Sequence, residues 1–129
     1  MKISELLKTR STISFEVFPP KNQAGDISSI YQTIDELSKL NPDFISVTYG
    51  AGGSTKGKTV EIASKIKNDY GIEAVAHLTC ISSCKEDIRN ICQQLKDNHI
   101  ENILALRGDY PKDEIIDPCH LEFHYAKEL

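Results

Sequence analysis

Apolar positions along this chain alternate between two periods. Four short runs are rich in pleated-sheet residues: Thr12 to Phe18, Phe44 to Thr48, Glu73 to Leu78 and Asn102 to Leu106. Pro19-Pro20 stops the first of them, because proline offers no N–H to a ladder. Between the strands, apolar residues recur at three- and four-residue spacing, the period of an amphipathic helix. Asp26 caps the first such stretch, whose buried stripe is Ile27, Ile30, Tyr31, Ile34, Leu37 and Leu40, and Asn41-Pro42 ends it. The second runs from Thr59 to Tyr70, buries Val60, Ile62, Ala63 and Ile66, and stops at Gly71. The third is capped by Ser82-Ser83, buries Ile88, Ile91, Cys92 and Leu95, and frays near Asn98. A short helix over Ser4–Lys8, capped by Ser4, precedes the first strand, and Glu122 to Leu129 begins another.

The strands start near residues 12, 44, 73 and 102, so one strand–helix unit repeats about every thirty residues. Such alternation predicts a parallel sheet with crossover helices. An open doubly wound sheet and a piece of a (β/α)8 barrel both satisfy it. A whole barrel takes about 250 residues, so a barrel reading makes this chain half of one. Half a barrel leaves two sheet edges that need a partner or a cover.

The 129 residues are 40% hydrophobic and 26% charged, with a formal net charge of -4. That predicts one globular unit with a core of ordinary size. The acidic balance argues against nucleic-acid binding, and no apolar run approaches the roughly 20 residues of a membrane span. Four cysteines without an export signal read as free thiols, so the expected location is the cytoplasm.

In either architecture, chemistry belongs at the C-terminal ends of the strands. Those ends carry Glu16, Thr48-Tyr49, His77 with Thr79, and Arg107-Gly108-Asp109. Glu16 is flanked by aromatics, which predicts a poorly solvated carboxyl with a raised pKa, suited to a general acid. A glutamate on the wet face of an edge strand is the plainer reading of the same pattern.

Two further motifs compete. Gly52 to Thr59 matches G-x-x-x-x-G-K-[ST] between a strand and a helix, the setting of a phosphate-binding loop in which Lys58 would reach the outer phosphates. No later strand ends in the acidic residue that would hold Mg²⁺. Cys80 and Cys84, with His77 nearby and Cys119-His120 downstream, could be assembled into a metal site, but the spacing is loose and no metal is expected. His99 reads as a helix-end or surface residue.

Four motifs taken in order closely resemble the methylenetetrahydrofolate reductase family: Ser14 to Pro20, Val47 to Thr55, Ala76 to Cys80 and Leu104 to Asp109. The resemblance covers nearly the whole chain. It implies a (β/α)8 TIM barrel with FAD at its C-terminal rim. It implies reduction of 5,10-methylenetetrahydrofolate to 5-methyltetrahydrofolate by NADH or NADPH through the flavin, a step of one-carbon metabolism. By resemblance, Glu16 is the general acid that opens the five-membered ring of the folate, and Asp109 is the acidic residue beside flavin and pterin. Thr48, His77, Leu106, Arg107, Gly108 and Asp109 match FAD-contacting positions. The family usually carries an acidic residue where Gly57 stands, which makes the phosphate-loop match accidental.

The resemblance also implies a truncated fold, α/β, comprising the first four strand–helix units of the barrel, with residues 1–129 as one partial domain. Strands five to eight are expected to lie outside it, together with residues that complete the FAD, folate and nicotinamide sites. A homo-oligomer or a complementary C-terminal half would then be the partner. A non-catalytic or split-barrel binding module and a phosphate-loop nucleotide binder stay open as alternatives.

Overall fold

A computed structural model describes residues 1–20, 27–49, 56–110 and 122–129, with the side chain of Lys56 left aside. Helix α1 (Ile3–Thr9) leads into strand β1 (Ser14–Val17), then α2 (Ser28–Ser38), β2 (Phe44–Val47), α3 (Lys56–Asn68), β3 (Glu73–Thr79), α4 (Lys85–Asp97) and β4 (Asn102–Leu106). The four strands form one parallel sheet in the order β1-β2-β3-β4. The order is strictly sequential and lacks the reversal that creates the binding crevice of a doubly wound sheet.

Register and the two-residue pleat divide the side chains between two faces. Val17, Val47, Ala76 and Ile103 align across the sheet, as do Phe15, Ile45 and Ala74. Most of these pack with Ile30 and Ile34 of α2, Ile62, Ala63 and Ile66 of α3, and Ile88, Ile91 and Leu95 of α4 in one core. Ile34, Ile45, Ile62 and Ile66 are fully buried, and removing each from water stabilises the fold by about 1.5–3 kcal/mol. The opposite face carries Glu16, Phe44, Ser46, Val75, His77 and Leu104. Together with Leu7 of α1 they border an open concavity of about 490 Å³.

Helix α1 is tied to the N-terminal ends of the strands. The Ile3 N–H donates to Asn102 Oδ1 at 2.9 Å, and Asn102 Nδ2 donates to the Met1 carbonyl at 3.0 Å. The Met1 ammonium pairs with Glu73 and Glu101 at 2.8 and 2.7 Å. Burial raises the Glu73 carboxyl, but hydrogen bonds from Lys67 and the Met1 ammonium outweigh it and hold the group below the usual carboxylate range.

Several local expectations are corrected. Ser4 does not cap α1: Lys2 is the N-cap, no side-chain bond closes it, and Ser4 lies inside the first turn. Leu40 is 63% exposed, because α2 ends at Ser38 and the chain turns through Asn41 at φ +52°. Helix α3 begins at Lys56, three residues before Thr59. Ser82 and Ser83 do not cap α4. Ser82 turns the chain at φ +58°, Ser83 is buried, and Cys84 Sγ accepts the capping bond from the Asp87 N–H while Asp87 Oδ2 accepts one from the Cys84 N–H. The expected C-terminal helix is a single 3-10 turn, Ala126–Glu128. The expected Asp26 cap lies outside the described residues.

Candidate functional site

Glu16 is the third residue of β1 and projects from the concave face. Its Oε2 lies 3.3 Å from His77 Nε2 and 3.4 Å from Ser46 Oγ. Oε1 has no hydrogen-bond partner among the described residues. The Glu16 side chain is 46% exposed, so the aromatic shielding read from its neighbours is not there. The pleat explains the difference: Phe15 points to the helix face and Phe18 is exposed. Sequence neighbours in a strand cannot wall one another.

His77 is buried, with its side chain 9% exposed. Its Nε2 has no protein hydrogen-bond partner of good geometry, although Glu16 Oε2 is close. The two facts agree, because proximity without alignment is an electrostatic contact and not a hydrogen bond. Burial pushes the imidazole below its usual pKa, and the Glu16 carboxylate pushes partly back.

The other rim residues are placed by their backbones. Thr48 N–H donates to the Val17 carbonyl at 3.0 Å, and the Thr48 carbonyl accepts from Thr59 Oγ1 at 3.0 Å. The carbonyls of Leu106 and Arg107 accept from Cys80 and Ile81 N–H at 3.1 and 2.9 Å, which carries the β3–β4 pairing past the ends of both strands. Gly108 then turns at φ +83°, where an added Cβ would stand 2.9 Å from Thr79 Cβ. Only glycine fits that approach. The Arg107 guanidinium is half exposed and bonds through Nε to the Gly108 carbonyl at 3.0 Å, with Nη2 3.9 Å from Asp109 Oδ1. Asp109 is 96% exposed and makes no ion pair with His77.

Of the residues singled out in the sequence, Glu16 and His77 are thus in contact, whereas Arg107, Gly108 and Asp109 form a separate turn. Ser46 was missed. Its signal was legible: it is the one polar residue in Phe44-Ile45-Ser46-Val47 and stands in register with Glu16. Among the described residues no three His, Cys, Asp or Glu side chains gather as a metal site. Cys84 is engaged in capping and Cys80 is buried. Cys119, His120 and the loop from Gly50 to Thr55 lie outside the described residues. Thr59, which would hold Mg²⁺ in a phosphate-binding loop, is 1% exposed and anchors the end of β2. No helix among the described residues is long and apolar enough to cross a membrane.

A parallel α/β sheet with ionisable and glycine residues gathered at its strand ends is the class of site that serves metabolic enzymes. The chain belongs to the methylenetetrahydrofolate reductase family, whose profile matches residues 2–129. It is 42% identical over 107 residues to a 5,10-methylenetetrahydrofolate reductase of Pectobacterium carotovorum, covering 83% of this chain and 36% of that protein. It is 42% identical over 99 residues to the Escherichia coli protein of the same name, covering 77% of this chain and 33% of that one. A methylenetetrahydrofolate reductase (NADH) of Arabidopsis thaliana is 39% identical over 116 residues, covering 86% of this chain and 19% of the plant protein. The chain therefore spans about a third of the bacterial relatives it matches, and less of the plant one.

Proposed function

We propose that this chain is the N-terminal half-barrel, residues 1–129, of a flavin-dependent enzyme that reduces 5,10-methylenetetrahydrofolate to 5-methyltetrahydrofolate with NADH or NADPH, in the cytoplasm. The observation that carries the reading is the Glu16–His77 contact on the concave face of a sequential parallel sheet, in a chain of this family. Glu16 is the proton donor. Its Oε1, which has no hydrogen-bond partner among the described residues, gives a proton to the folate nitrogen that leaves as the five-membered ring opens, and the carboxylate left behind stays beside His77 and Ser46.

The residues present suit FAD. The orphaned His77 Nε2 is a buried group in want of a partner, and the half-exposed Arg107 matches an anionic cofactor. Thr48, His77, Leu106, Arg107, Gly108 and Asp109 would hold it. When bound and reduced by NADH or NADPH, the flavin would supply the hydride that turns the methylene carbon into a methyl group. Asp109 is assigned a place beside flavin and pterin, where its negative charge bears on both.

A partner is part of this reading. Among the described residues α2, α3 and α4 pack on one face of the sheet and α1 borders the other, where an open concavity remains, and Ile103 and Leu104 of β4 are 43% and 44% exposed. A complementary half supplying further parallel strands is the partner we propose, with a second copy of this chain as the alternative. A non-catalytic binding module would use the same surface without flavin.

The test adds FAD to the chain with and without a polypeptide matching the remainder of a bacterial relative. Flavin absorbance and NADH oxidation with a quinone acceptor are then followed. Flavin retention and folate reduction in the complemented sample are expected. Glu16→Gln should keep the quinone reaction and lose folate reduction by about 10²–10⁴-fold. Flavin bound under neither condition, or folate reduction untouched by Glu16→Gln, would overturn the proposal.

A further inference from the structure

We infer that Ser46 is a positioning residue for Glu16: its hydroxyl holds one carboxyl oxygen beside His77 and leaves the other to carry the proton. The inference rests on the reading of Glu16 as proton donor and adds to it a residue that the family motifs leave out.

The geometry is specific. Ser46 Oγ stands 3.4 Å from Glu16 Oε2 and 3.5 Å from the Phe15 carbonyl. A hydroxyl has one proton and therefore one donor bond to give. Toward an ionised Glu16 it donates to Oε2, since a charged acceptor outcompetes a neutral carbonyl. Toward a protonated Glu16 it turns to the Phe15 carbonyl. The rotor thus follows the charge on Glu16 without moving any heavy atom. His77 Nε2 approaches the same Oε2 at 3.3 Å from the other side. Both neighbours meet one oxygen, and Oε1 has no hydrogen-bond partner among the described residues. A proton on Oε1 can pass to a substrate, whereas a proton on Oε2 would face Ser46 and His77.

Position supports the assignment. Ser46 is the register partner of Glu16 on the central strand β2, between Glu16 on β1 and Val75 on β3. A rigid interior strand fixes the hydroxyl better than a loop would. The charged groups bordering the same concavity are Glu16, Lys2 and Glu101, and of these Glu16 is the one that acts on His77.

The test reads His77 by NMR titration of its Cε1–H in the full 129-residue chain, without cofactor. Glu16→Gln should move the His77 midpoint down, because the carboxylate that raises it is gone. In a Ser46→Ala background, Glu16 is less well held and the same substitution should move the midpoint by less. Ser46→Thr should restore the full displacement and Ser46→Val should not. These two variants differ by a hydroxyl in place of a methyl and both suit a strand, so they decide the matter even if Ser46→Ala fails to fold. A displacement of equal size with and without the hydroxyl would overturn the inference. So would an effect of Ser46→Ala that persists when Glu16 is already Gln. Failure of FAD to bind leaves this titration readable, so the two proposals fail separately.

Discussion

His77 Nε2 and Glu16 Oε2 stand 3.3 Å apart although β2 runs between their strands. Adjacent strands lie about 4.8 Å apart, so the pair bridges roughly twice that spacing by the reach of two long side chains over a small central one. Ser46 is that small residue. A residue as long as leucine there would occupy the gap the contact needs.

The buried imidazole links stability to pH. Its pKa is lowered by burial, with Glu16 opposing, from the ordinary 6.5. The unfolded chain therefore takes up a proton near pH 6.5 while the folded chain still refuses it. Stability is at its full value above pH 6.5 and falls as the pH drops from there toward the lower folded pKa. Urea denaturation at pH 8 and pH 5.5 should show this loss, and His77→Gln should flatten it. A wild-type and variant slope that coincide would count against a lowered His77.

Gly108 is a second place where stability is concentrated. Alanine there must adopt φ +83° and bring its Cβ to 2.9 Å from Thr79 Cβ and 3.1 Å from Ile81 Cγ2. Left-handed strain and overpacking together should cost about 2–4 kcal/mol. Chemical denaturation of Gly108→Ala measures it. Gly57→Ala, with nothing within 4 Å and a helical position, should be neutral or stabilising and serves as the control.

Asn102 joins α1 to β4 through Ile3 N–H, the Met1 carbonyl and, at 3.4 Å, Glu73 Oε2. Asn102→Leu strands those groups and should destabilise by about 1–3 kcal/mol. Amide hydrogen exchange separates this from a general loosening. The Ile3 amide should lose protection well before the amides of β2.

The phosphate-loop reading has its own check. Lys58→Ala should leave Mg²⁺-dependent ATP affinity unchanged by isothermal titration. Thr59→Val should instead lower stability by about 1 kcal/mol, because it removes the bond to the Thr48 carbonyl. Tight ATP binding abolished by Lys58→Ala would revive the nucleotide reading.

The sequence by itself determined the four strands, the four α-helices to within a few residues, and the core stripes of α3 and α4. Those features follow from local periodicity: Ile62 and Ile66 are one helical turn apart wherever the helix sits. It also put Thr48, Arg107, Gly108 and Asp109 at or just past the C-terminal ends of their strands, where the structure has them. What the tertiary structure decided is what touches what. Cys84 caps α4 where Ser82 and Ser83 were expected, because the turn after β3 uses those two residues first. Glu16 is open to solvent because the pleat turns Phe15 to the other face. Ser46 and His77 meet Glu16 only through sheet register. Successive members of this trio lie about thirty positions apart in sequence, and a period read within a strand says nothing about which strand will lie beside it.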